Sequence, residues 1–149
     1  MTLKSLKLPS TSGENFSFAE YKGKKVILYF YPKDNTPGCT QEGLDFGKKI
    51  KLFQKLNTVI FGVSRDSLKS HEKFKQKMAF PFDLLSDEKE EACKLFDVIK
   101  WKNMYGKKVL GIERSTFLFD EKGKTLKEWR KIKVAGHVNE VLAFLKSIA

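Results

Sequence analysis

"KKVILYFYPKDNTPGCTQEG", Lys24 to Gly43, joins two patterns that together set the fold. Its first half is a run of β-branched and aromatic residues, the composition of a strand buried on both faces. Two prolines, an Asp-Asn pair and a glycine follow, all turn-formers, ahead of a stretch with a rough helical period from Thr40 to about Leu56. One of only two cysteines, Cys39, therefore stands at a strand-to-helix junction.

The pattern repeats outward from there. "TVIFGVS" (Thr58 to Ser64) reads as a second buried strand, and the amphipathic stretch after it opens at Asp66 or Ser67, both cap residues. "FPFDLLSD" (Phe80 to Asp87) is a short extended piece, with Asp87 able to cap a helix through "EKEEACKLFDV". "RSTFLFD" (Arg114 to Asp120) and "TLKEWRKI" read as a hairpin around "EKGK", and "HVNEVLAFLKSIA" as a closing amphipathic helix. Upstream, "LKLPSTSGENFSF" suggests an N-terminal β-hairpin. This order predicts an α/β fold with a central mixed β-sheet flanked by helices, as one domain over residues 1–149.

Composition narrows the function classes. With 149 residues, 41% hydrophobic and 32% charged, the chain can bury a core without disulfide staples. The N-terminus lacks the apolar core of a signal peptide and no run is long enough for a membrane span, so a cytoplasmic protein with free thiols is expected. The net charge of +11 raises nucleic acid as a partner. Of 29 basic residues only Arg65, Arg114 and Arg130 are arginine, and the lysines are spread among acids along the chain. Base reading favours arginine and one charged face, so a solvated lysine surface is the stronger reading.

Cys39 carries the chemistry. A thiol at a helix N-terminus meets unpaired N–H groups and the positive end of the macrodipole, which favour the thiolate nucleophile. A dithiol oxidoreductase needs Cys-x-x-Cys, but Thr36 and Glu42 occupy the positions three before and three after Cys39. A cysteine hydrolase needs a histidine base; His71 falls in an exposed-looking, lysine-rich helix and His137 at the start of the last helix, where capping or surface is the common role. Two cysteines and two histidines so widely spaced match no common metal pattern. A basic binding module without catalysis is the rival of a different class.

"YFYPKDNTPGCTQE" resembles the active-site segment of the peroxiredoxins, with Pro32, Thr36 and Cys39 in the Pro-x-x-x-Thr-x-x-Cys arrangement, and is most similar to the peroxiredoxin Q or bacterioferritin-comigratory branch. "LLSDEKEEACKLFDV" and "GIERSTFLFDEKGK" resemble later segments of that family. The resemblance implies a thioredoxin-like fold, reduction of hydrogen peroxide and organic hydroperoxides, no cofactor or metal, thioredoxin as reductant, and a monomer with neither nucleic-acid nor membrane partner. It implies Cys39 as the peroxidatic thiol, Thr36 and Pro32 around the peroxide, Arg114 as the cation beside the thiolate, and the backbone N–H groups of Gly38 and Cys39 as a polar pocket. Many members carry a resolving cysteine five residues on, where this chain has Leu44. Cys93 is then the expected resolving thiol, through a Cys39–Cys93 disulfide; otherwise an external thiol must serve. Gly43 and Gly47, four apart in the helix after Cys39, suggest either close packing of another backbone or a turn made easier to unwind.

Overall fold

Strand β3 (Lys25–Phe30) is the centre of the molecule because every residue from Val26 onward is buried, on both faces of the sheet. The computed structural model describes residues 3–149, so Met1 and Thr2 of the expected domain lie outside the described residues. Parallel to β3 runs β4 (Thr58–Ser64), and parallel to that β5 (Asp83–Ser86). On its other side β3 pairs antiparallel with β8 (Ser115–Phe119), which pairs antiparallel with β9 (Thr125–Trp129). The result is a mixed five-stranded sheet, β5-β4-β3-β8-β9. The N-terminal hairpin, β1 (Lys7–Pro9) with β2 (Asn15–Ser17), is antiparallel, and Ser10 bridges from it to Leu85.

Alternation along the strands splits the core into two layers. Val26, Leu28 and Phe30 of β3, with Phe117 and Phe119 of β8, face one cluster; Ile27 and Tyr29, with Leu118, face the other. Helix α1 (Pro37–Lys48) contributes Cys39 and Phe46 to the second layer, joined by α3 (Leu68–Met78) through Phe74 and by α5 (His137–Ile148). The first layer receives the short α4 (Glu91–Leu95) through Ala92 and Cys93. The sheet thus lies between the two cysteines.

Four features differ from expectation. Helix α1 begins at Pro37, not Thr40, because proline at the first helical position lacks only an N–H that would be unpaired there anyway. The expected single helix to Leu56 breaks at Lys49, and α2 (Ile50–Lys55) continues separately. Residues 99–112, which the sequence reading passed over, form an outlying hairpin of β6 (Ile99–Met104) and β7 (Lys107–Ile112), exposing Trp101, Met104, Tyr105 and Leu110. Asp87 does cap, accepting from the N–H groups of Ala92 at 3.1 Å and Cys93 at 2.8 Å, but the helix it caps is only Glu91–Leu95. Among the described residues no helix is long and apolar enough to cross a membrane.

Gly43 and Gly47 are explained by side chains, not by another backbone. A Cβ on Gly43 would meet Cε1 of the buried Phe80 ring at 2.7 Å, and one on Gly47 would meet Cδ of Pro81 at 3.2 Å. Overpacking of that kind costs about 1–3 kcal/mol. Alanine's helix preference returns only ~1 kcal/mol. Close packing of α1 on the Phe80–Pro81 corner is sufficient reason for both glycines.

Candidate active site

The buried face of α1 reads Cys39, Glu42, Gly43, Phe46, the spacing of one helical stripe. Two of these four are ionisable, and a single side chain addresses both. Arg114, immediately before β8, extends its guanidinium over the first turn of α1: Nη1 donates to Glu42 Oε1 at 2.7 Å and Nη2 to Cys39 Sγ at 3.5 Å. Gly38 makes room for it, since a Cβ there would stand 3.1 Å from Arg114 Nη2. The arginine side chain is 15% exposed and Cys39 only 2%, so the cation meets the thiol largely away from water. At that depth electrostatic contacts are worth far more than on a surface.

Helix α1 also presents its backbone. Its N-cap, Thr36, makes no side-chain cap hydrogen bond, which leaves the first N–H groups of the turn, those of Gly38 and Cys39, uncapped at the positive end of the helix. The Thr36 hydroxyl instead donates to the Lys33 carbonyl at 2.7 Å. Thr36 and Pro32 are both half-buried on the segment leading into α1. The chain order therefore brings Pro32, Thr36, Gly38 and Cys39 to one junction, and the fold adds Arg114 from the residue before β8.

Glu42 is the member of this group that sequence reading passed over. It served only to reject a Cys-x-x-Cys motif, yet a position three after Cys39 on a helix shares its face. Burial pushes the Glu42 carboxyl up, Arg114 pulls it down, and burial prevails at about 7. Its second oxygen, Oε2, is buried with no hydrogen-bond partner, which is what makes the charge costly. Between its ordinary 4.5 and about 7 the folded protein holds a proton that the unfolded chain releases. Its contribution to stability is therefore full below the unfolded value and is lost as pH rises through the folded one. Glu42→Gln should remove that fall: the urea midpoint at pH 8, taken relative to that at pH 5, should be higher in the variant than in the parent. Lys102 of β6 feels the same charges: burial, and then Arg114, disfavour its ammonium, while Cys39 favours it.

Both histidines depart from expectation. His71 is fully buried, not on an exposed helix face, because it and Phe74 form the inward side of α3. His137 is buried too; its Nε2 lies 2.9 Å from the Thr116 hydroxyl, and burial with Arg114 nearby lowers it to about 4. Neither is hydrogen-bonded to Cys39, which leaves the hydrolase reading without its base. Asp34, Asp66 and His71 bring one ligand atom each within 4.8 Å of one another. Each is already engaged in hydrogen bonds with protein groups, so the trio fits a polar network better than a metal.

Cys93 does not join the site. It is fully buried in the layer across the sheet from Cys39, and burial together with a hydrogen bond to Asp87 pushes its thiol far up. A disulfide needs Cα atoms within ~7 Å. The two helices lie on opposite faces of the sheet, so the Cys39–Cys93 disulfide that the resemblance implies would require one of them to leave its layer.

Residues 2–127 match the AhpC/TSA family. The chain is 54% identical over 144 residues to peroxiredoxin Bcp of Xanthomonas campestris pv. campestris, covering 97% of this chain and 90% of that one. It is 50% identical to peroxiredoxin Bcp of Bacillus subtilis, covering 97% and 92%. A solved structure of X. campestris peroxiredoxin Q superposes with a TM-score of 0.92 at 52% identity, covering 97% and 92%. Another, of the X. campestris bacterioferritin comigratory protein and concerned with its alkyl peroxide reduction activity, gives the same TM-score, identity and coverage. With its thioredoxin-like mixed sheet and an arginine held over a cysteine at a helix N-terminus, the chain belongs to the AhpC/TSA family, among the peroxiredoxins of the Bcp and Q type.

Proposed function

We propose that this protein is a thiol peroxidase, a cytoplasmic monomer whose residues 1–149 form one domain, in which Cys39 reduces hydrogen peroxide and organic hydroperoxides. The observation that carries the reading is the Arg114 guanidinium shared between Cys39 Sγ and Glu42 Oε1 at the uncapped start of α1. Alkyl peroxide reduction by the X. campestris relative supports the substrate class.

The Cys39 thiolate attacks one peroxide oxygen along the O–O axis. The S–O bond forms as the O–O bond breaks, sulfur is oxidised to sulfenic acid, and the alkoxide or hydroxide takes a proton and leaves as alcohol or water. Arg114 and the N–H groups of Gly38 and Cys39 stabilise charge on the leaving oxygen. Thr36 donates its hydroxyl to the peroxide after rotating off the Lys33 carbonyl, and Pro32 shields that side. No bound cofactor takes part.

Reduction of the sulfenic acid then falls to an external thiol, because Cys93 lies across the sheet. One thiol attacks the Cys39 sulfur, forming a mixed disulfide with loss of water; a second releases Cys39 and leaves the reductant oxidised. Thioredoxin, which carries two thiols, is the reductant we assign. The test is peroxide consumption coupled to thioredoxin, thioredoxin reductase and NADPH. Cys93→Ser should turn over at the parent's rate, and no Cys39–Cys93 cross-linked peptide should appear after one equivalent of peroxide. A Cys93→Ser protein that consumes one equivalent and then stalls would restore Cys93 as the resolving thiol.

A further inference from the structure

The stretch from Tyr31 to Thr36, which carries Pro32 and Thr36 into the turn bearing Cys39, is held from below by polar groups closed off from solvent. Asp34, its one acid, has a side chain only 2% exposed. Its Oδ1 accepts from the Tyr31 hydroxyl at 2.7 Å, and its Oδ2 accepts from the Ser70 hydroxyl at 2.7 Å. The same Oδ2 lies 2.8 Å from Nδ1 of His71. The backbone N–H of Asp34 donates to Asp66 Oδ2 at 2.9 Å, which ties the stretch to the turn after β4.

His71 faces acceptors at both ring nitrogens. Across from Asp34, its Nε2 is 3.0 Å from the carbonyl oxygen of Leu85 in β5. A carbonyl can only accept, so Nε2 bears hydrogen. At its other end the ring meets Asp34 Oδ2, so one side chain of α3 joins the acid of the loop to the backbone of β5. The groups around the ring are Asp34 and Tyr31 from the β3 end, Asp66 from the turn after β4, Ser70 from α3, and from β5 the Leu85 carbonyl. Burial alone would raise the Asp34 carboxyl, but the hydrogen bonds from His71, Tyr31 and Ser70 and the charge of His71 hold it below its ordinary value.

We propose that His71 is a positioning residue for the peroxidatic site: paired through Nδ1 with Asp34 and through Nε2 with the Leu85 carbonyl, it clamps the Asp34 stretch to β5 and so fixes Pro32 and Thr36 beside Cys39. This rests on Cys39 being the peroxidatic thiol. The clamp acts on geometry around the peroxide and not on the thiol, which Arg114 addresses from the other side. A misplacement of ~1 Å can cost of order 100-fold in rate, so a loosened loop is expected to show first in the peroxide reaction.

Two rates separate the roles. Oxidation by hydrogen peroxide needs Thr36 and Pro32 in place; alkylation by iodoacetamide needs only an accessible thiolate. His71→Leu, which removes both contacts, should slow oxidation of Cys39 by about tenfold or more while its alkylation stays within about twofold. His71→Asn, whose amide nitrogen can still reach Asp34, should recover most of the oxidation rate. If His71→Leu does not fold, His71→Gln, whose longer amide reaches toward the Leu85 carbonyl and gives up Asp34, should show the same selective loss of oxidation. Variants in which both rates fall together, or neither falls, would overturn the proposal. Failure of the peroxidase reading would look different, as peroxide turnover persisting in Cys39→Ser.

Discussion

Cys39→Ser is expected to abolish hydroperoxide reduction and to leave the fold unchanged. Serine fits the 2%-exposed site with little change in volume, so α1 should keep its place against the sheet. The chemistry does not survive the exchange. A serine hydroxyl has no useful anion population near neutral pH, even with Arg114 3.5 Å from the position of the sulfur. Oxygen also cannot take up the transferred peroxide oxygen as sulfur does in forming a sulfenic acid. Peroxide consumption with dithiothreitol as electron donor measures this without requiring a protein reductant. Turnover by the purified variant comparable with the parent would remove Cys39 from the centre of the mechanism.

Arg114→Met should slow the first oxidation step by roughly 10²–10³-fold, the usual effect of removing one charge-stabilising donor from a preorganised site. Methionine fills much of the same space, so loss of packing is kept small. Two groups lose the cation at once. Cys39 loses the contact that favours its thiolate, and Glu42, already pushed up to about 7, loses the pull that opposed its burial. Alkylation of Cys39 should therefore slow along with the peroxide reaction. Arg114→Lys should rescue little, because a single ammonium cannot span Cys39 and Glu42 as the guanidinium fork does. Unchanged oxidation and alkylation profiles in Arg114→Met would place the arginine outside the reaction.

Much of the fold was legible in local pattern. The bounds of β4 match "TVIFGVS", and Ser67 caps α3, accepting from the Ser70 N–H at 3.1 Å. The β6–β7 hairpin escaped because Trp101, Met104 and Leu110 stay exposed, so no clear inward-outward alternation marked it. Site residues close in sequence, Thr36 to Cys39, were legible through their motif. Arg114 was supplied only by resemblance, since nothing in its neighbourhood shows that β8 lies beside β3. His71 was misread because the lysines around it describe the outer side of α3, whereas its own side is set by tertiary contacts with Asp34 and Leu85. The layer that holds Cys93 was not legible for a related reason. Chain order says that a helix flanks the sheet, but which face it takes depends on the crossover.

The placement of Cys93 gives the molecule a built-in unfolding reporter. Its thiol has no exposed surface and is disfavoured as an anion, so a labelling reagent reaches it only when the layer beneath α4 opens. In a Cys39→Ser background it is the sole thiol in the chain. Its labelling rate in native buffer then counts openings of one core layer, while the layer of α1, α3 and α5 across the sheet goes unmarked.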